Sequence, residues 1–412
     1  MKIVKKKYIA FLCTSNDLNQ LLGTHKSLFK KLNDNFEKFY LINFIYFKIF
    51  SDVYAIKNKF NHELKDNVKQ PQNLEIFTPR TVKELKDFML DKEIIGIQNL
   101  SRNISDLRIH YLMAKFNIIQ IMISNFGFFN SAFKNSIKDK FLKPFSNFFY
   151  FLNKSVGQKI TLFLSNLRVF KKIEIRFTSD KKMLERINKS ILKKFFFKLN
   201  FFYTKEIILV NSKSYDDFKE KNFLINQTKI VLLDIFLDHP EGNEIIKKIS
   251  DEDKKKHYKN LNEFLNLMSN YFKKEVTICL HPKDNLEFKK KIFSNFKVTQ
   301  YDTVKNIYQA FIVLFFDTSA IVDAILLKKR IMLINSKYIP DTWSELGRSY
   351  AKKSNILSFD IEKNIQEMIP YLDERLEKQT LEYQDYIKNF IQIDGDRSGL
   401  DVIVNTLKKK FF

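Results

Sequence analysis

The apolar run VTICLHP (Val276–Pro282) ends in a histidine-proline pair, and a second run, FIVLFFDTS (Phe311–Ser319), ends in an aspartate, a threonine and a serine. A histidine at a strand end points into the cleft beyond the sheet, and the proline stops the strand. Its imidazole can donate to a phosphate or to a leaving-group oxygen. Phe315-Phe316-Asp317-Thr318-Ser319-Ala320 opens directly into a helical pattern. Two hydroxyls at a helix head, backed by backbone N–H groups, make an anion site that needs no glycine loop. Taken singly, the first is an ordinary turn and the second an ordinary N-cap. Together they place a histidine and a hydroxyl pair on neighbouring strands, aimed at one crevice. That pairing suits the phosphate of a nucleotide-activated donor and stabilises charge as the phosphate departs.

Other chemistries lack their marks. The sequence has no GxGxxG, GxxxxGK[ST] or GxSxG, which removes the main support for dinucleotide, P-loop and serine-hydrolase readings. It has no HExxH and no Cys/His cluster, so no metal is expected. His25, His62, His110 and His257 are scattered over apparent helices and loops and read as surface or packing residues.

The elements that must position the two strand ends alternate along the chain. Strands over Lys7–Cys13, Phe39–Phe44, Glu75–Pro79, Glu93–Leu100 and Ile118–Ser124 alternate with helices over Asp17–Leu32, Val82–Leu90 and Asp106–Phe116. The pattern resumes with strands over Glu206–Ser212, Lys229–Leu237, Val276–Pro282, Phe311–Ser319 and Arg330–Ser336. Helices fall over Glu252–Phe272, Leu286–Phe293, Thr303–Ala310 and Ala320–Lys328, and the tail is helical over Leu381–Ile391 and Leu400–Lys409. Such alternation predicts parallel sheets covered on both faces, with ligands at the carboxyl ends of the strands.

With 412 residues, 45% of them hydrophobic, the chain is long enough for two domains. Two cysteines, Cys13 and Cys279, exclude a disulfide framework, and a reducing, cytoplasmic compartment fits best. The start MKIVKKKYIAFLCTS reads as a first strand rather than a signal peptide, because its apolar run is short and no small-residue cleavage site follows. The longest uncharged stretch, Phe116–Phe133, is interrupted by Asn, Gln, Ser and Gly and does not read as a transmembrane helix.

The net charge is +24, a balance that calls for an anionic partner unless base composition of the genome accounts for it. From Lys134 to Lys205, 18 Lys and Arg face 4 Asp and Glu, so more than half of the excess lies in this one stretch. It also holds 13 Phe, in clusters such as Ser146–Lys154 and Leu192–Lys205. Aromatics interleaved with Lys suit a helix lying on an anionic membrane surface. A packed insertion with solvated Lys is the plain alternative. Nucleic acid is a weaker one, because no nucleic-acid-binding motif is present.

The strand–His-Pro element followed by Phe-x-Thr-Ser at a helix head resembles the signature pair of bacterial two-lobed (GT-B) sialyltransferases and 3-deoxy-octulosonate (Kdo) transferases, which use CMP-activated sugars. The resemblance implies that His281 and Pro282, and Thr318 and Ser319, hold the CMP moiety in the C-terminal lobe. Segments Ser214–Phe218, Leu232–Gly242, Ser319–Ile334 and Leu100–Gly127 are similar to a broader group of proteins from bacterial surface-polysaccharide clusters (capsule and lipopolysaccharide). One feature departs from the sialyltransferase pattern: the acidic pair followed by glycine that includes the base is missing, and Pro240-Glu241-Gly242 is the nearest approach. Asp234 and Asp238 are therefore candidate bases, with His239 beside them, and Asp17 is the candidate of the N-terminal, acceptor lobe. Asp323, just inside the helix after Ser319, is placed to bond a ribose or simply to cap the helix.

The expectation is an α/β protein of two Rossmann-like lobes with a basic, Phe-rich helical insertion between them. The acceptor lobe is drawn at residues 1–133, the insertion at 134–204, the nucleotide-sugar lobe at 205–380 and the C-terminal helices at 381–412. The implied activity transfers sialic acid, another nonulosonate or Kdo from a CMP donor to a glycan or lipid-linked acceptor, without a cofactor, at the inner face of the membrane. A UDP-sugar transferase or epimerase is the second reading, and a non-catalytic membrane- or RNA-binding scaffold the third.

Overall fold

The computed structural model describes residues 5–15, 18–48, 70–100, 104–124, 156–189, 204–220, 226–235, 237–238, 249–281, 284–340, 345–363 and 369–412. The chain forms two compact units, residues 1–213 with 394–412, and residues 214–393.

The first unit is built on a seven-stranded sheet: β1 (Lys6–Cys13), β2 (Phe39–Asn43), β3 (Leu74–Phe77), β4 (Lys92–Asn99), β5 (Ile119–Ser124), β6 (Ile173–Thr178) and β7 (Thr204–Leu209). Their order is β3-β2-β1-β4-β5-β6-β7 and every pairing is parallel. Strand order reverses between β1 and β4, which makes that junction the switch point where such sheets open a crevice. β1 is a continuous apolar run because both its faces are covered. Ile9 and Phe11 join one core layer, Ala10 and Leu12 the other. The first layer is closed by the helix Gly399–Phe411, whose Leu400, Ile403, Val404 and Leu407 are buried.

The second unit holds β8 (Lys229–Leu233), β9 (Glu275–Leu280), β10 (Lys297–Gln300), β11 (Ala310–Phe315), β12 (Arg330–Asn335) and β13 (Leu357–Asp360). Their order is β10-β9-β8-β11-β12-β13, again parallel, with the reversal between β8 and β11. Helix Asp251–Phe272 starts where the Ser250 hydroxyl accepts the Asp253 N–H at 3.0 Å, with three acidic residues in its first turn favoured by the helix dipole. It ends at Lys273, which adopts a left-handed φ of 51°.

The division of the chain differs from the expected one. The strand that the sequence reading gave to the second half, β7, pairs with β6 and completes the first sheet, so the boundary lies at 213/214 rather than 204/205. β6 itself lies inside the basic stretch expected to be helical: Ile173, Ile175 and Phe177 are buried while Glu174 and Arg176 between them are half-buried, a two-residue period hidden by the local charge. The tail also divides. Ile369–Tyr386 packs in the second unit, whereas Gly399–Phe411 returns to the first.

Asn211 and residues 394–399 fasten the crossing points together. Its side chain donates to the carbonyls of Gly395 (2.9 Å) and Arg397 (2.7 Å) and accepts the Asp394 N–H (2.8 Å). Gly399 lies so close to Asn211 that a Cβ would stand 2.3 Å from its carbonyl oxygen.

Much of the basic, Phe-rich stretch lies outside the described residues. Helices Gly157–Asn166 and Lys181–Lys189 and the strand β6 are its described parts. Among the described residues, no helix is long and apolar enough to cross a membrane.

Candidate functional site

The second unit brings the expected strand ends to one edge. β9 and β11 both pair with β8. At about 4.8 Å per strand spacing, the carboxyl ends of β9 and β11 stand about 10 Å apart across β8. Register puts Leu233 of β8 level with Cys279 and Phe315, so Asp234 leaves β8 at the level where His281 and Thr318 are about to follow. His281 is half-buried, Thr318 half-buried and Ser319 exposed. Pro282 and His239 lie outside the described residues, as does Asp17 in the first unit.

The turn after His281 is held from within. Asp284 N–H donates to the His281 carbonyl at 2.9 Å, and the Gln300 amide at the end of β10 donates to the carbonyls of both His281 and Asp284 at 3.1 Å. After β11, the Thr318 hydroxyl oxygen accepts the Ala320 N–H at 3.2 Å, Val322 N–H donates to Ser319 O and Asp323 N–H to Ala320 O. The turn therefore uses three of the amide donors that the sequence reading left for an anion, and the helix that follows, Ile321–Leu326, is short. The turn is braced by the helix Glu345–Ser354: Gly347 N–H donates to Asp317 Oδ1 at 3.2 Å, and a Cβ on Gly347 would stand 1.9 Å from the Phe316 carbonyl oxygen. Asp323 is half-buried, and its charge lies within electrostatic reach of Tyr308, whose phenol is pushed up by burial and then by Asp323.

Asp234 and Asp238, which follow β8, are paired with lysine, although Asp234 Oδ1 has no hydrogen-bond partner among the described residues. Lys289 Nζ lies 2.8 Å from Asp234 Oδ2 and 3.5 Å from Asp238 Oδ2, and it donates to the Tyr258 hydroxyl at 2.7 Å. The Tyr258 hydroxyl in turn donates to Asp238, which also pairs with Lys254 at 3.3 Å. Burial acts to raise the Asp238 carboxyl, but the Tyr258 bond and the Lys289 and Lys254 charges outweigh it and hold the group low. Burial acts to lower the Lys289 ammonium, yet the surrounding carboxylates, Asp234 first, keep it raised.

Asp284 differs. Only 9% exposed, it has no hydrogen-bond partner on either carboxylate oxygen. Burial, with the Asp234 and Asp238 charges adding and Lys289 opposing, pushes its carboxyl up to about 7. Among the described residues no cluster of three or more His, Cys, Asp or Glu is placed to hold a metal ion.

Sequence reasoning missed Lys289, Asp284, Gln300 and Gly347. Lys289 did leave a signal: it falls between Leu286 and Phe293 at helical spacing, a lysine within an apolar stripe. The first unit holds a further, small cleft, partly open to solvent, at the switch point between β1 and β4. His25 lines it and packs against Phe11 and Phe29, in keeping with its reading as a surface or packing residue. Burial, then the Lys213 charge, lowers its imidazole to about 4, which leaves it neutral at pH 7.

No protein-family model matches the chain, and no curated protein matches its sequence. Solved structures match it in fold. The wall teichoic acid polymerase TagF superposes with a TM-score of 0.50 at 10% identity, over 100% of this chain and 92% of that one. The calicheamicin glycosyltransferase CalG4 gives 0.50 at 8% identity, with both chains covered completely. A protein described as a UDP-N-acetylglucosamine 2-epimerase from Listeria monocytogenes gives 0.51 at 11% identity, over 99% and 97%. Two parallel, Rossmann-like units of seven and six strands, matched along their whole length by glycosyltransferase structures, give this chain the two-lobed GT-B fold.

Proposed function

We propose that the protein is a glycosyltransferase that moves an acidic sugar, a nonulosonate or Kdo, from a CMP-activated donor to a glycan or lipid-linked acceptor. The observation that carries this reading is the convergence of His281 with Thr318 and Ser319 at the carboxyl ends of β9 and β11, astride the second sheet's switch point. In the transfer, an acceptor oxygen forms the new glycosidic bond as the bond from sugar to phosphate oxygen breaks. The departing CMP takes the electron pair, and its charge meets His281 and the two hydroxyls without a metal. The acceptor's proton needs a base. Asp234 and Asp238 are held by Lys289, so we assign the role to Asp284, whose oxygens are uncommitted and whose carboxyl sits near neutral pH.

Peripheral attachment to an anionic membrane, at its inner face, belongs to the same reading. Phe163 and Leu167, one turn apart on the same face, are 62% and 57% exposed, and Val169 is 43% exposed beside Arg168. The likeness to the Listeria protein described as an epimerase favours, as a second reading, a transferase or epimerase of UDP-sugars on the same lobes.

Thermal unfolding with CMP, CDP, UDP, GDP and no nucleotide separates the readings. A ligand at 100 times its Kd stabilises by about 2.7 kcal/mol, an easily measured rise in Tm. A rise with CMP carries the CMP-sugar reading, and a rise with UDP alone carries the second. No rise with any nucleotide, together with binding to anionic vesicles or RNA, favours a scaffold.

A further inference from the structure

Behind the strand ends of the second unit lies a buried cluster of charges, with Lys289 at its centre. Its side chain is fully buried on the helix Leu286–Ile292, which begins directly after the turn that carries His281 and Asp284. A buried ammonium persists only where partners meet it, and this one has three: Asp234 at 2.8 Å, the Tyr258 hydroxyl at 2.7 Å and Asp238 at 3.5 Å. The two carboxylates follow β8, and Tyr258 stands on the helix Asp251–Phe272. Beside Tyr258, the His257 ring meets the Phe316 ring edge-on at 5.4 Å, just ahead of Asp317 and Thr318. One ammonium therefore joins the exit of β8 to the turn after β9, and through Tyr258 and His257 the same cluster touches the exit of β11. Asp284 is the group left over. Both its oxygens are buried without a partner. The charges of Asp234 and Asp238 reach it from beyond β8 and that of Lys289 from the helix that follows it. Tyr258 faces the same three carboxylates, and its phenol is pushed up by burial first and by their charges after it. From β10 comes only the uncharged Gln300 amide, bound to the Asp284 carbonyl. Burial does most to raise the Asp284 carboxyl, and the Lys289 charge is what opposes it.

We infer that Lys289 is a positioning residue for the proposed transfer: it pins the His281–Asp284 turn to the exit of β8 and supplies a positive charge to the Asp284 carboxyl from within the protein. The inference rests on the transferase reading only in assigning Asp284 the role of base. Being fully buried, Lys289 acts through Asp284 and not on a substrate. Two roles for it differ in sign. Without the ammonium, Asp284 faces the Asp234 and Asp238 charges alone, and its carboxylate becomes harder to form. If Lys289 only filled space, its loss would admit water to Asp284 and make the carboxylate easier to form.

The test compares the full chain with its Lys289→Met and Asp234→Leu/Lys289→Met variants. The single variant leaves Asp234 uncompensated and is prone to unfold. The double variant replaces the pair by apolar side chains, an exchange that buried ion pairs commonly tolerate, and Asp238 keeps Tyr258 and Lys254. Carbon-13 NMR follows the Asp284 carboxyl from pH 4 to 9, with Asp284→Asn assigning its resonance. Turnover is read as CMP released from CMP-N-acetylneuraminate and from CMP-Kdo, with water as acceptor. In the double variant the Asp284 midpoint should rise, and the acid limb of kcat should move up with it while KM holds. Each pH unit of that movement lowers kcat about tenfold on the limb, so the loss is greatest at pH 6 and smallest at pH 9. A midpoint that falls or stays in place in a folded double variant overturns the inference. So does a midpoint that rises while the kcat profile of an active enzyme stays where it was, and the transferase reading then stands without Lys289. If the midpoint rises, but the wild-type protein releases no CMP above the uncatalysed rate and no nucleotide stabilises it, Lys289 still governs Asp284 and the transferase reading falls.

Discussion

Lys289 Nζ lies 2.8 Å from Asp234 Oδ2, with neither side chain exposed. A carboxylate in that position serves first to neutralise a buried ammonium. Removing one partner of a buried ion pair costs about 3–5 kcal/mol because the other charge is left uncompensated. Asp234→Asn and Lys289→Met should each lose about that much in urea unfolding. A fully stable Asp234→Asn protein with abolished turnover would return Asp234 to the role of base.

His281→Ala should lower turnover by about 10²–10⁴, the loss expected for a positioned donor or charge stabiliser. The backbone of the turn is held by Asp284 N–H and the Gln300 amide, so Tm should change little. Near-normal transfer by this variant in a donor-consumption assay would remove the central element of the proposed function.

Gly347→Ala should act at a distance on the Thr318–Ser319 turn. The new methyl would stand 1.9 Å from the Phe316 carbonyl oxygen, a backbone atom that cannot swing aside. Overpacking costs about 1–3 kcal/mol, and here it also strains the bond from Gly347 N–H to Asp317. Tm should fall, and nucleotide-induced stabilisation should shrink. An unchanged response to nucleotide would separate this turn from the donor site.

Two buried groups pull the pH dependence of stability in opposite directions. Asp284, raised to about 7 from 3.8, binds a proton that the unfolded chain releases. Its contribution is present below about pH 4 and is lost as pH rises through 7. His257, buried with both ring nitrogens unpartnered, is lowered to about 3 by burial, then by the Lys289 charge. It favours the folded state above about pH 6.5 and withdraws that support as pH falls towards 3. Each group changes stability by up to about 1.4 kcal/mol per pH unit inside its window. Asp284→Asn should therefore stabilise the protein most at pH 8, and His257→Phe should flatten the acid limb. Urea midpoints across pH 4–8 read both, and unchanged slopes would contradict the assigned shifts.

The strands legible in the sequence were those buried on both faces. KYIAFLC, KIVLL and AFIVLF are continuous apolar runs because a central parallel strand has no wet side. The edge strands β10 and β13, KVTQ and LSFD, are short and half polar, and nothing in their composition sets them apart from loops. Which sheet a strand joins is not a local property. The neighbours of β7 are fixed by pairing with β6, 31 residues upstream in register, so its place in the first sheet is not written in its own residues. The candidate site divides in the same way. His281 and Thr318 were visible because chemistry at a strand end follows from local sequence. The engagement of Asp234 depends on a lysine 55 residues away, and the Gly347 brace on a helix 30 residues beyond Asp317.

The helix Gly399–Phe411 closes a core whose other parts lie within residues 1–213. During synthesis that wall arrives only after all of residues 214–393 have been made. At roughly 5–20 residues per second, the delay is about 10–40 s. For that interval the layer containing Ile9, Phe11 and Ile97 waits without Leu400, Ile403, Val404 and Leu407, while the continuous second unit has everything it needs to fold. The nascent first unit is thus the stage most exposed to aggregation and most in need of a chaperone. Its cleft between β1 and β4, lined in part by Leu400, is among the last features of the molecule to form.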